Sequence, residues 1–397
     1  MKLIYVSNFM NHHQLPFSLG LLSQPGVEYT FVALKAISQE RLDMGYEDMN
    51  HKYPFILCAY DSEEKMHQAV KLIDDADAAI YGSCPDSMIM RRTSKGKLCF
   101  KFSERYFKKG TGLFRIPHNF ASAWKHLKPF EKRSLYFCCS SAYTAADLNR
   151  YTNFRGKAFK WGYFPETRRY DVAELMKRKL SAVSAGGKRP QTSILWVGRL
   201  IGLKHPDASI RLAEKLKHKG YEFELNIIGN GMMERQLREQ ICRKHLDDCV
   251  HMLGAMSPEE VREHMEAADI FLFTSDFNEG WGAVLNEAMN SACAVVASHA
   301  IGSVPFLLRE GENGLIYKNG DENGLLDRVV QLIEQPEMRK RLGRKAYQTL
   351  TEQWNAETAA ERFLQLSEAL LQGRSPELFE DGPCSKAEIL KNGWYDK

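Results

Sequence analysis

The chain has 397 residues, 44% hydrophobic and 26% charged, with a formal net charge of +4. That length exceeds what one compact core organises and suits two domains, and the composition excludes a disordered or fibrous chain. No apolar run is long enough to span a bilayer, the N-terminus MKLIYVSNF is too short and strand-like for a signal peptide, and nine scattered cysteines without a CxxC pair predict reduced thiols in a cytoplasmic protein. The charge is uneven: Met88 to Arg133 holds thirteen Lys and Arg against two acids, Glu104 and Glu131, which predicts an anionic partner surface.

In chain order, Lys2–Asn8 reads as a first strand, followed by the loop Asn11-His12-His13-Gln14 and an amphipathic helix over Leu15–Leu22. Val27–Leu34 and Phe55–Tyr60 read as strands, and the long polar connection between them as a candidate flap. Asp61–Asp74 has helical spacing, and Ala76–Ser83 is a strand entering the loop Cys84-Pro85-Asp86. The motif Asp75-Ala76-Asp77 resembles a DxD metal site, but it precedes its strand and so belongs to the amino edge of the sheet, away from where such sheets bind ligands. Lys97–Ser103, Leu135–Ser141 and Lys157–Phe164 complete a first domain, 1–166. Residues 167–192 are polar and breaker-rich and read as a linker, with a charged helix over Val172–Ala182.

The second domain, 193–355, alternates strand and helix, the rhythm of a parallel sheet. Ser193–Val197 runs into Gly198-Arg199 and then Lys204, Phe223–Ile228 into Gly229-Asn230-Gly231, and Val250–Leu253 toward Met256 and the capping box Ser257-Pro258-Glu259-Glu260. Ile270–Ser275 is a buried strand that opens the stretch TSDFNEGWGAVLNEAMN, a strand–turn–helix. Free amides at the start of that helix suit phosphate, and the flanking carboxylates Glu279 and Glu287 suit sugar or ribose hydroxyls. Cations must then converge from other loops. Three amphipathic helices follow, the last near 356–373, and the tail 374–397 has no clear pattern.

The spacing Glu279-x7-Glu287 around Gly280-Trp281-Gly282 resembles the signature of retaining family 4 glycosyltransferases. That resemblance implies an α/β GT-B fold: two Rossmann-like doubly wound domains facing across a cleft, with the C-terminal helix crossing back to the first. It implies donor-diphosphate cations at Arg199 and Lys204, and a donor-sugar contact at Glu279. Nucleotide-sugar contacts are implied at Asn230, Gly231, Met256, Gly280, Trp281, Gly282, Ala283, Val284 and Glu287. The corresponding acceptor side would draw on His12, His13, Ser103, Glu104 and His118. Two positions depart from the family: Ser103-Glu104-Arg105 stands where a histidine is common, and Phe306 where a carboxylate is common.

The expected function is transfer of a sugar from a nucleotide-diphosphate sugar to a glycan or lipid-linked hydroxyl, with retention, in cell-surface polysaccharide or glycolipid synthesis. No cofactor, metal or nucleic acid is expected. The basic region 88–133 is expected to meet an anionic membrane, placing a cytoplasmic enzyme peripherally on its inner face. An inverting GT-B enzyme or nucleotide-sugar epimerase remains open, since His12, His13, Glu104 and His118 are candidate bases. So does a non-catalytic nucleotide- or glycan-binding protein.

Overall fold

The computed structural model describes residues 1–39, 42, 47–108, 110, 112–181 and 192–396. It divides into two compact units, Met1–Glu166 with Trp354–Lys391, and Thr167–Gln353 with Asn392–Lys397. In the first, β1 (Lys2–Ser7), β2 (Glu28–Ala33), β3 (Ile56–Cys58), β4 (Ala78–Tyr81), β5 (Leu98–Ser103), β6 (Leu135–Cys139) and β7 (Ala158–Lys160) form one sheet. Its order is β3-β2-β1-β4-β5-β6-β7 and every pairing is parallel. In the second, β8 (Ser193–Val197), β9 (Glu224–Ile228), β10 (Val250–Gly254), β11 (Ile270–Phe273), β12 (Ala294–Ser298) and β13 (Leu315–Tyr317) form a parallel sheet ordered β10-β9-β8-β11-β12-β13. Each order reverses once, at β1/β4 and at β8/β11, leaving a crevice at the carboxyl ends of the strands.

The strands are nearly unbroken apolar runs because helices cover both faces. β11 and β12 are buried along their whole length. The helix Pro258–Ala267 starts at the anticipated capping box, with Ser257 and Glu260 bonding each other's backbone amides. Two helices escape sequence reading, Asp86–Thr93 and Ile116–His126. The first buries Ile89, Arg92 and Thr93, so a charged residue occupies a core position and the apolar period disappears. The second turns polar Asn119 and small Ala123 inward and exposes its larger apolar residues, so its apolar spacing does not mark the buried face.

Three expectations about connections change. Residues 167–181 are docked, not a free linker: Leu175 and Met176 pack with Ala292 and Tyr347, and the Lys179 ammonium donates to the carbonyls of Met265 and Ala268 at 2.9 and 2.6 Å. The remaining linker residues, 182–191, lie outside the described residues. The described end of the expected flap is pinned, since buried Asn50 accepts from the Met10 amide at 3.0 Å and donates to the Lys35 carbonyl at 3.3 Å; residues 40, 41 and 43–46 lie outside the described residues. The tail also has structure: Lys386 bridges Phe159 antiparallel, and Lys160 donates to the Ser385 carbonyl at 2.7 Å. It covers the β7 edge, whose backbone groups would otherwise be open to pairing with another chain.

The helix Ala356–Leu371 belongs to the first unit. Asn355 caps it by accepting from the Thr358 amide at 2.8 Å. It lies on the helix Leu15–Leu22 so closely that a Cβ on Gly20 would sit 3.1 Å from the Ala360 Cβ. Phe363 then enters an aromatic cluster with Phe17, Phe100 and Trp161.

Arg92 is fully buried and replaces the apolar side chain expected there. Its guanidinium donates to the carbonyls of Ile73, Ala76, Asp77 and Leu98, the last three at 2.6, 2.8 and 3.2 Å. These carbonyls end the helix Glu63–Asp75 and flank β4 and β5. Arg92→Met leaves them unbonded in the interior, and should destabilise the first unit by about 3 kcal/mol. Urea unfolding measures this; a midpoint unchanged from wild type would show that the carbonyls find other donors.

Candidate functional site in each unit

In the second unit the reversal between β8 and β11 brings two loops together. Lys204 ends the short turn Gly202–Lys204 after β8, and Glu279 follows β11. Their side chains form an ion pair, each largely withdrawn from water, and Ser275 Oγ donates to the same Glu279 oxygen at 3.0 Å. The backbone beneath is tied: Thr274 Oγ1 donates to the Lys204 carbonyl at 2.6 Å and accepts from the Trp196 indole at 2.9 Å. The Asp276 amide donates to the Leu203 carbonyl at 3.0 Å, and the Asp276 carboxylate lies 3.2 Å from His205 Nε2. Sequence reading missed Thr274, His205 and Asp276; their signal was only their position at the carboxyl ends of two neighbouring strands.

The glycines have measurable reasons. A Cβ on Gly229 would lie 1.9 Å from the Gly198 carbonyl oxygen, and one on Gly282, at φ +78°, would lie 2.3 Å from the Phe273 ring. Only glycine allows these loops to approach so closely. Arg199, Asn230 and Gly231 are exposed on the same edge, and the Leu200 amide donates to the Asn230 carbonyl at 2.7 Å. Met256 is half-buried after β10. Gly282, Ala283 and Val284 precede or open the helix Val284–Asn290, whose first amides lack intrahelical partners as at any helix start.

Two residues differ from their expected roles. The Trp281 side chain is fully buried, donates to Asn286 Oδ1 at 2.9 Å and packs 6.3 Å from the Phe306 ring. It is an interior anchor for the turn, adjoining buried Gly280, and its ring presents no surface to a ligand. The same contact gives Phe306 a structural role where the family commonly carries a carboxylate.

Glu287 lies half-buried on the helix Val284–Asn290. Burial pushes its carboxyl above the usual range, and the nearby Arg262 guanidinium only partly offsets this. Arg262 is itself held by Asn290 Oδ1 at 2.9 Å.

In the first unit, the β1/β4 reversal opens a cavity of about 500 Å³. Tyr5, Ser7 and Asn8 of the β1 end, Gly82 and Ser83 after β4, and the segment Trp161–Phe164 after β7 contribute to its lining. It brings together His12, His13, Ser103 and Glu104. His118 is not among them: it sits exposed on the helix Ile116–His126. Tyr163, which sequence reading passed over, organises the wall. Its hydroxyl donates to Glu104 Oε1 at 2.6 Å, and its ring stacks on His13 with centroids 5.6 Å apart and planes 8° apart. Lys108 pairs with the other Glu104 oxygen. The His13 ring is partly open at its edge, but Nδ1 is shielded and has no bonding partner. Burial and the adjacent His12 push its pKa down to about 3, so the ring stays neutral near pH 7.

The basic region is less basic in space than in sequence. Arg105 is buried against Asp147, with Nη2 at 3.1 Å, and Arg91 and Lys95 pair with Asp74 at 2.6 and 3.0 Å. Lys101 pairs with Asp86 at 3.1 Å, Lys128 with Glu131 at 2.5 Å, and Arg92 is committed to carbonyls. Apart from Glu131, these carboxylates, Asp74, Asp86 and Asp147, come from outside the counted window. Phe100, Phe107 and Phe130 are core residues. Lys109, within the same basic region, lies outside the described residues.

Asp77 accepts from the Lys2 amide at 2.7 Å at the amino edge of the first sheet, a structural use of the Asp75-Ala76-Asp77 motif. Among the described residues one trio, His51, Cys58 and Asp61, brings metal-ligand atoms within 4.8 Å of one another. Lys65 already holds Asp61 at 2.6 Å, and the trio belongs to neither site. No helix among the described residues is long and apolar enough to cross a membrane.

Glu287 generates a pH prediction. Its proton is held more tightly in the folded chain than in the unfolded one. The stability this contributes is full below the unfolded carboxyl pKa, about 4.3, and is lost as pH rises through the folded value. Glu287→Gln stays neutral throughout, so its urea midpoint relative to wild type should rise between about pH 4 and pH 7. A flat or falling difference over that window would contradict the raised value.

Residues 182–349 match the family model of glycosyl transferases group 1. Over 146 residues the chain is 35% identical to the amylovoran biosynthesis glycosyltransferase AmsK of Erwinia amylovora, covering 36% of either protein. Over 150 residues it is 32% identical to the putative colanic acid biosynthesis glycosyltransferase WcaL of Escherichia coli, covering 36% of this chain and 37% of that one. The matched stretches thus span about a third of these relatives' length. Among solved structures, Anabaena Alr3699/HepE in complex with UDP superposes with a TM-score of 0.66 at 14% identity, over 93% of this chain and 100% of that one. A mutant of Staphylococcus aureus TarM in complex with fondaparinux, alpha-GlcNAc-glycerol and UDP gives 0.54 at 18%, over 76% and 59%. The chain therefore has the two-unit parallel-sheet fold of GT-B glycosyltransferases, and its residues 182–349 match the glycosyl transferases group 1 family.

Proposed function

We infer that the protein is a glycosyltransferase that moves a sugar from a nucleotide-diphosphate sugar to a hydroxyl of a glycan or lipid-linked acceptor. The observation that carries this reading is the Lys204–Glu279 pair at the β8/β11 reversal, beside exposed Arg199 and a helix start. As the glycosidic bond of the donor breaks, negative charge develops on the diphosphate. Arg199 and Lys204 stabilise it as fixed cations, Arg through a planar fork and Lys as a point charge. Glu279, oriented by Lys204 and Ser275, accepts from donor-sugar hydroxyls. Glu287 accepts from the ribose, and the first-unit cavity takes the acceptor. With cations in these positions, the transfer needs no metal and no cofactor.

The sugar is transferred with retention, in polysaccharide synthesis. Retention rests on the resemblance of the Glu279-x7-Glu287 turn to the signature of retaining enzymes; of the candidate bases an inverting enzyme would need in the first-unit cavity, the shielded, weakly basic His13 is poorly suited, and Glu104 is engaged by Tyr163 and Lys108. The similarity to glycosyltransferases of amylovoran and colanic acid biosynthesis supports the acceptor class.

Lys204→Ala and Glu279→Ala should each lower transfer by at least ~100-fold while leaving circular dichroism unchanged. Near wild-type turnover in folded Glu279→Ala would remove the donor-site assignment. Thermal shifts with UDP, GDP and ADP sugars identify the donor. Transfer of the best one should persist in excess EDTA, whereas a loss reversed by Mg²⁺ or Mn²⁺ would contradict the metal-free site.

A further inference from the structure

The turn Leu113–Arg115 and the helix Ile116–His126 carry apolar surface that the fold does not bury. Asn119, Ala123 and Leu127 face the first-unit interior. Ile116, Phe120 and Trp124, four residues apart, form a second stripe beside that inward face. Trp124 is 58% exposed, Leu113 82%, and Phe114 as exposed as in an extended chain. Phe120 and Trp124 stack with centroids 5.7 Å apart, so the stripe is an ordered ridge. A contiguous apolar patch on a surface helix, with its core face already satisfied, marks an interaction site.

We propose that this ridge docks the first unit on an anionic lipid bilayer. Charge selects this occupant. From Gly112 to Arg133 the chain has five basic residues, Arg115, Lys125, Lys128, Lys132 and Arg133, against one acid, Glu131. Arg115 and Lys125 pair with no carboxylate among the described residues. Lys128, Lys132 and Arg133 line a shallow hollow at the end of the segment together with Glu131, which pairs with Lys128, so the rim carries three cations to one carboxylate; the Lys128 ammonium lies 5.7 Å from the Trp124 ring centroid. Aromatic and aliphatic side chains that enter the acyl boundary, rimmed by cations that stay at the headgroups, are the composition of an interfacial helix. A nucleic acid would use the cations and the rings but has no use for Leu113 and Ile116. The sites of the pairs elsewhere in 88–133 narrow the lipid surface to 113–133. The inference stands apart from the transfer reaction, and its test reads no activity.

The full chain is mixed with vesicles of phosphatidylcholine, with or without phosphatidylglycerol, and sedimented. Quenching of tryptophan fluorescence by brominated lipid that disappears in Trp124→Phe reports insertion. Binding should require phosphatidylglycerol, fall with salt, and drop about tenfold in Lys125→Ser/Lys132→Ser. Phe114→Ser/Trp124→Ser should lower it at least fivefold, on the order expected for lost apolar insertion. These side chains are exposed, so both variants should keep the wild-type melting temperature. Equal recovery in the supernatant with and without phosphatidylglycerol at low salt would overturn the proposal. So would a dimer, seen by light scattering, that Phe114→Ser/Trp124→Ser converts to monomer, because the ridge would then face a second copy.

Discussion

Opposite charges on Lys204 and Glu279 are held together where both have lost most of their water. Withdrawing either charge alone would be costly, and the pair compensates only because its geometry is fixed from below. Trp196, Thr274 and the carbonyls of Lys204 and His205 form that foundation, joining the ends of β8 and β11 by hydrogen bonds of 2.6 to 3.2 Å. The glycine loops depend on the same frame. Gly229 can lie against Gly198 only because the β8 and β9 ends are in register, with the Gly198 amide on the Ile228 carbonyl at 3.0 Å. A ligand-free pair of this kind is already oriented, so a donor would meet an acceptor of hydroxyl bonds and a cation with little side-chain freedom left to lose.

The first unit solves the same topological problem with different chemistry. Its reversal between β1 and β4 is lined by aromatic rings, hydroxyls and amides, with Glu104 held between Tyr163 and Lys108. Asn50 steadies the β1 loop from outside. The helix Ala356–Leu371 and the tail bridge at Lys386 come from the far end of the chain to close this unit's core and edge. Its wall is thus built from residues far apart in sequence, where the second-unit loops follow their own strands at short distance.

The fold and the second-unit loops were largely legible in the sequence, as were four residues of the first-unit cavity, His12, His13, Ser103 and Glu104, whereas the rest of that cavity's wall was not. Continuous apolar runs such as IFLF, punctuated by glycine turns, are local signals of buried parallel strands, and the chain alone determined both sheets, the capping box at Ser257 and the chemistry of the turn around Glu279. Glu279 could be read from the chemistry of its own turn, whereas Arg199 and Lys204 were singled out by the resemblance to the glycosyltransferase signature. Only the tertiary structure decided that Trp281 faces inward, that Tyr163 rather than His118 stands beside Glu104, and that Arg92 serves as a core residue. It also decided that Asp74, Asp86 and Asp147 pair with part of the basic excess of 88–133, and that an apolar ridge stands beside cations that remain. The reason is physical. Strand and turn propensities act over a few residues, whereas a side chain's direction, its ion-pair partner and its exposure depend on what distant segments bring against it.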